Sequence, residues 1–278
     1  MVRIAELSGE VGSLVTRPVP GFGRVLMAFL VGAGLSLGLG LSAVKAAGPA
    51  VPLDTFPTQK LTDRAALQNG AKLYMNYCLG CHGISQVRYS RLADLGLSQD
   101  QIKSGLILTE SKLGDLIKTT MPLKESANWF GKAPPDLSLT ARSRSSGAGS
   151  GADWIYTYMR GYYLDPSRPT GWNNTVYPAV GMPHVLWDLQ GERTTEFKKV
   201  ISNGEEKLVF DRFVQTSPGK MSPSEYDNAV ADLTAFLSWA AEPAAQTRKQ
   251  IGVWVLLFLG IFFVFAWRLN AAYWRDIR

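Results

Sequence analysis

Cys78-Leu79-Gly80-Cys81-His82 decides how the rest of this 278-residue chain is read. Two cysteines three positions apart, with a histidine directly behind, form the C-x-x-C-H run of covalent c-type haem attachment. The spacing follows from geometry. On a helical turn, residues three and four apart share a face, so both sulfurs and the imidazole meet one flat macrocycle. The thiols add to the two haem vinyl groups and His82 ligates the iron. A dithiol redox pair and half a zinc site are the competing readings. The chain has no further cysteine and one further histidine, His184, so no zinc ligand set is completed. The redox reading calls for a cytosolic βαβ context, which an exported chain lacks.

Export is the next signal outward. Residues 1–24 are polar and carry three arginines, Val25–Val44 is apolar, and Val44-Lys45-Ala46 before Ala47 offers a small-residue cleavage site. This is the pattern of a signal peptide over residues 1–46. The apolar run is long for one, so an uncleaved anchor is the alternative. Either way the haem domain is expected on the far side of a bacterial inner membrane, facing the periplasm. Both cysteines are spent in the motif, so stability has to come from a core and the haem. The formal charge of +6 divides into +2 over residues 1–46, +2 over the last eleven residues and +2 over the body. Its basic residues are scattered, which argues against nucleic acid as a partner.

Around the motif, residues 48–60 read as a proline-rich arm. A helix capped by Thr62 or Asp63 runs through Leu67, Gly70, Leu73, Tyr74 and Tyr77 into the cysteines. Ser98–Leu106 and Thr109–Thr120 read as short helices, and Met121-Pro122 opens an irregular stretch containing the rigid turn Ala133–Ser138. Arg142 and Arg144 precede a Ser/Gly patch and are candidates to hold the haem propionates, or simply solvated loop arginines. Asp153–Tyr163 reads as a helix whose Trp154, Tyr158 and Tyr162 share a face, with core packing the default role. Residues 164–186 lack any period and read as a long structured loop. Phe197–Ser202 and Lys207–Val214 bracket Asn203-Gly204 as a hairpin. Its Glu205, Glu206 and Asp211 form a small acidic group, either a steering patch for a basic cytochrome or solvated charge. Ser222, Pro223 and Glu225 start a helix that Pro243 ends.

Ile251–Trp267 is apolar and free of charge, and Leu269, Tyr273 and Trp274 extend and anchor it as a membrane span. The expected division is a signal peptide over 1–46, a periplasmic domain over 47–250, a transmembrane helix over 251–269 and a cytoplasmic tail over 270–278. A sixth iron ligand is also needed to shut out small molecules. Met75, Met121, Met159, Met182, Met221 and His184 are available, and the loop context favours Met182 with Met121 and His184 behind it.

Several runs together resemble the cytochrome c1 family, the haem subunits of quinol–cytochrome c oxidoreductase, over roughly residues 54–278. They are Cys78–His82 continuing as Gly-Ile-Ser-Gln-Val-Arg-Tyr, Pro134-Pro135-Asp136-Leu137-Ser138, and Trp154–Tyr162. The most specific is Leu237-Ser238-Trp239-Ala240-Ala241-Glu242-Pro243 followed by Arg248-Lys249 and a span. The resemblance implies a mainly α, class I cytochrome c-like helical haem domain with long loops, a small hairpin and one C-terminal transmembrane helix. It implies one covalent haem c on Cys78, Cys81 and His82, with Met182 as axial ligand and Arg142 or Arg144, the latter the closer match, at the propionates. It further implies cytochrome b and Rieske iron–sulfur subunits as partners in a dimeric complex, with a soluble cytochrome c as acceptor. Ser145-Ser146-Gly147 stands where many members have His-Gly-Gly, and Pro183-His184 departs from a common double proline, which keeps His184 a rival ligand.

Overall fold

The computed structural model describes residues 51–202 and 205–277. The expected signal peptide and the Asn203-Gly204 turn lie outside the described residues. Helix α1 (Arg64–Tyr77) starts where Asp63 accepts hydrogen bonds from the amides of Ala65 and Ala66. It packs lengthwise on α7 (Pro223–Ala241), and the crossing is close because Gly70 presents no side chain. A Cβ there would lie 2.0 Å from the carbonyl oxygen of Asp232. The rings of Tyr74 and Phe236 meet at a tilt, 5.6 Å apart, across the same seam. The buried carboxylate of Asp232 accepts from Lys60 Nζ at 2.7 Å and Asn69 Nδ2 at 2.8 Å, so its charge is paired within the seam. Helix α7 begins as its sequence promises, with Ser222 and Glu225 in a reciprocal capping box and Pro223 in the first turn.

Between these helices the chain is looped and carries small elements. Strand β1 (Ile84–Arg88) pairs antiparallel with the two-residue β2 (Leu116–Ile117). Helix α2 (Gln99–Gly105) has its Ser98 cap. The helix expected over Thr109–Thr120 does not form. Thr109 and Ser111 bond to each other, Asp115 accepts from the Lys112 amide, and these local side-chain bonds compete with a helical ladder. Conversely, the stretch after Met121 is not wholly irregular: α3 (Leu123–Phe130) follows directly on Pro122. A short turn of helix, α4 (Thr140–Ser143), leads to α5 (Gly151–Met159).

Helix α5 is shorter than its aromatic pattern suggests. It starts at a capping box of Ser150 with Asp153 and stops before Gly161, where a Cβ would come within 2.8 Å of Thr175 Oγ1. Tyr162 is therefore in a strand, β3 (Tyr162–Leu164), paired with β4 (Trp172–Asn174) inside the long loop. A one-turn helix, α6 (Trp187–Gln190), precedes the hairpin. The hairpin is longer than read: β5 (Gly191–Ser202) and β6 (Glu205–Pro218) pair along their length with two register shifts. Residues 191–196 are polar and threonine-rich, so no apolar alternation announces them.

Beyond α7, Glu242, Pro243 and Ala244 form the whole connection to α8 (Ala245–Tyr273). At 29 residues α8 is about 44 Å long at the helical rise. It exposes Val253 to Leu259 and Ile261 to Phe265 and carries no buried residue, so it is long and apolar enough to cross a membrane.

Candidate functional site

Helix α1 ends at Tyr77, one residue short of the motif, and Cys78 caps it through a bond from its amide to the Tyr74 carbonyl. The motif then makes a turn of its own. The Cys78 carbonyl accepts from both the Cys81 amide at 3.0 Å and the His82 amide at 2.8 Å. The three chemically active residues thus sit on one turn, though not on an extension of α1. Cys78 is buried and Cys81 half-buried, and burial pushes the Cys78 thiol up to about 12.

His82 is held from above and below. Its Nδ1 lies 2.7 Å from the carbonyl oxygen of Pro135. A carbonyl only accepts, so Nδ1 carries the proton and Nε2 keeps its lone pair. Burial lowers the His82 pKa, with the Pro135 carbonyl and Asp136 opposing, and the net effect favours the neutral imidazole that metal ligation needs. Its own carbonyl accepts from Tyr74 Oη at 2.5 Å. The Pro134–Ser138 turn is fixed in turn by Leu137 N donating to Gly83 O and by Asp136 accepting from the amides of Ser85 and Ser138. The rigid turn seen in the sequence is therefore the clamp on the histidine.

Met182 sits in the long loop, half-buried against the core. Tyr158 Oη reaches its sulfur at 3.5 Å and Tyr162 Oη its carbonyl at 3.2 Å, while the two hydroxyls are 2.7 Å apart. Burial pushes the Tyr158 phenol up to about 12 and raises that of Tyr162 as well, so both keep their protons. The loop approaches through Ala179, a non-glycine residue at a left-handed φ of 61°, held by its amide bond to Asn173 Oδ1 at 2.9 Å and by Arg168 on its carbonyl.

The rival His184 has other work. Its ring stacks on Tyr162 at 4.6 Å and its Nε2 is 2.7 Å from the Gln190 amide, which with the amide turned donates to it and accepts from Arg193. Its Nδ1 is buried without a hydrogen bond. Met121 is bonded through its amide to Thr119 Oγ1, next to the loop that meets Gly80.

The two arginines part company. Arg144 lies over Trp154 at 4.3 Å, and Trp154 stacks on Tyr158 at 4.7 Å, so this guanidinium belongs to the wall around Met182. Arg142 turns to Glu242 at 3.6 Å, which also pairs with Arg248 at 2.6 Å where α7 meets α8. Of the acidic group on the hairpin, Asp211 pairs with Lys198 at 3.0 Å. The side chains of Glu205 and Glu206 lie outside the described residues.

Sequence reasoning missed Arg193. It is half-buried between the hairpin and the loop, donates through Nε to Tyr162 O at 2.8 Å, also donates to Arg160 O, and lies 3.6 Å over Phe213. Burial pulls it down to about 10. The signal available was a lone arginine in the polar opening of a strand, which is weak. Tyr158 and Tyr162 were visible but read as core. Their being tyrosine on a buried stripe was the clue, because a buried hydroxyl needs a partner.

One turn with two thiols and an imidazole of fixed tautomer, and a thioether presented from a separate loop of aromatics, are the donor types a c-type haem takes. Comparison with known proteins agrees. A family model described as the Cytochrome C1 family matches residues 56–277. A cytochrome c1 of Allochromatium vinosum is 44% identical over 218 residues, covering 78% of this chain and 86% of that protein. A protein of Nitrosomonas europaea named ammonia monooxygenase gamma subunit is 44% identical over 230 residues, 83% and 91% of the two chains. A cytochrome c1 of Rhodobacter capsulatus is 29% identical over 244 residues, 78% and 85%.

Proposed function

The chain belongs to the cytochrome c1 family, and from that premise we propose that it takes electrons from an iron–sulfur subunit and passes them to a soluble cytochrome c. Membership makes it a haem-bearing electron-transfer subunit of a bc1 complex, beside cytochrome b and Rieske subunits, anchored in the membrane by its apolar C-terminal helix. A haem c, when bound, supplies reversible one-electron exchange, and no bond-making side chain is required. What the chain's own residues do is attach, orient and tune. Cys78 and Cys81 would carry the two thioether links of a single haem, and His82 would ligate its iron through Nε2. Met182 would be the second iron ligand and Arg144 would meet the propionates, with Arg142 left to the junction at Glu242. The observation that carries this reading is the bond of His82 Nδ1 to Pro135 O, which leaves Nε2 with its lone pair on the turn that also holds both thiols.

The topology proposed with it is a signal peptide over residues 1–46 that is removed, a periplasmic domain over 47–250, a span over 251–269 and a cytoplasmic tail, within a dimeric complex of a bacterial inner membrane. N-terminal sequencing of the mature protein is expected to begin near Ala47. The functional test is to isolate the membrane complex and add quinol. Reduction of a haem that stays with this polypeptide through denaturation and acidified acetone is expected, and pigment that washes away would overturn the assignment. A second reading is a tail-anchored cytochrome serving another oxidase or reductase, and the name of the Nitrosomonas relative, an ammonia monooxygenase subunit, is what favours it. Co-purification without any cytochrome b, and a haem that quinol leaves oxidised, would favour it.

A further inference from the structure

Tyr158 and Tyr162 do more around Met182 than fill space. Both rings are buried and clamped: Trp154 stacks on Tyr158 at 4.7 Å, and His184 stacks on Tyr162 at 4.6 Å. Backbone contacts fix the same segment, with Asn174 Nδ2 on Tyr158 O at 2.8 Å and Arg193 Nε on Tyr162 O at 2.8 Å. The hydroxyls are therefore placed. Each has one proton to donate. Between them lie three contacts: Tyr158 Oη to Met182 Sδ at 3.5 Å, Tyr162 Oη to Met182 O at 3.2 Å, and the hydroxyls to each other at 2.7 Å.

Two protons cannot fill three contacts. When Tyr162 donates to the Met182 carbonyl, its oxygen competes for the proton of Tyr158. When Tyr158 instead donates to the sulfur, it draws electron density from the thioether and weakens donation to the iron, which disfavours the ferric form most. We propose that Tyr158 and Tyr162 are positioning residues that set the reduction potential of the haem through this competition, Tyr158 by donating to the ligand sulfur and Tyr162 by diverting that donation. The inference rests on the reading of Met182 as the axial ligand. It makes the two hydroxyls opposed in sign, which a shared packing role would not.

The test uses the intact membrane complex and redox titration with the sulfur-to-iron charge-transfer band as a second readout. Met182→Ala comes first. Loss of the band upholds the axial assignment, and its survival overturns the assignment and the proposal together. With the band lost in that variant, Tyr158→Phe is expected to lower the potential and Tyr162→Phe to raise it, both retaining the band. The double variant is expected to match Tyr158→Phe, because no donor then remains for Tyr162 to divert. Shifts of the same sign, or none, overturn the proposal while leaving Met182 as ligand. In the unsubstituted protein, oxidised-minus-reduced infrared difference spectra with isotope-labelled tyrosine are expected to contain a phenolic C–O band. Its absence also overturns the proposal.

Discussion

On the His82 side, five consecutive residues bring both thiols and the imidazole onto one turn, and a backbone carbonyl of a proline turn clamps the ring. On the Met182 side, the contacts come from side chains 20 and 24 positions away, on α5 and β3, and the presenting loop contains a left-handed alanine. One half is short-range and held by backbone. The other is long-range and held by hydroxyls and rings. Under the function proposed above, the difference makes attachment and tuning separable: the first tolerates little change, whereas the second is adjustable through side chains that carry no bond to the cofactor.

That separation can be broken outright. His82→Ala is expected to remove the imidazole ligand and abolish covalently stained haem on a denaturing gel, whereas Arg144→Ala, on the tuning side, is expected to leave the stain intact. Equal loss in both would erase the distinction. Next in size is Gly70→Ala, which places a Cβ at 2.0 Å from Asp232 O and is expected to cost about 3 kcal/mol by pushing α1 off α7. The check is a denaturant titration of the holoprotein, in which a change under 1 kcal/mol, about the scale of a tolerated volume swap, would show the seam to be soft.

A smaller effect is expected at Asp153, which caps α5 behind the methionine wall. Burial raises its pKa, but the Phe56 amide and the Ser150 hydroxyl and amide outweigh this and hold the carboxyl below its ordinary 3.8. A carboxylate depressed in the folded state contributes stability above its unfolded pKa and loses it as pH falls through the folded value. Asp153→Asn is therefore expected to cost about 1 kcal/mol near neutral pH, with the gap to the parent narrowing below roughly pH 4. A gap that is constant with pH would point to packing alone. The smallest effect is at Ala179. Glycine relieves a left-handed cost of about 1 kcal/mol but adds unfolded-state freedom of similar size, so Ala179→Gly is expected to stabilise by under 1 kcal/mol in thermal unfolding. A clear destabilisation would mean the methyl group is itself a contact.

Much of the attachment half was legible because its information is local. The C-x-x-C-H spacing and the Asp63 and Ser222 caps are all written within a turn or two of where they act, whereas the close crossing at Gly70 depends on Asp232, far along the chain. The tuning half was legible only in outline. Met182 stood out by its loop context, but nothing within a few residues indicates that Tyr158 faces its sulfur or that Arg144, and not Arg142, joins that wall. The missed elements have the same cause. Residues 109–120 carry helix-compatible apolar spacing, yet local hydroxyl and carboxylate bonds decide otherwise. The extension of β5 back to Gly191 is set by pairing with a strand more than twenty residues on.

The joint at Glu242, Pro243 and Ala244 has a mechanical corollary. Three residues reach at most about 10 Å even when drawn straight. Arg248 and Arg142 also grip Glu242 from either side. Such a stub is no leash: it leaves the folded domain little room to swing about the head of α8.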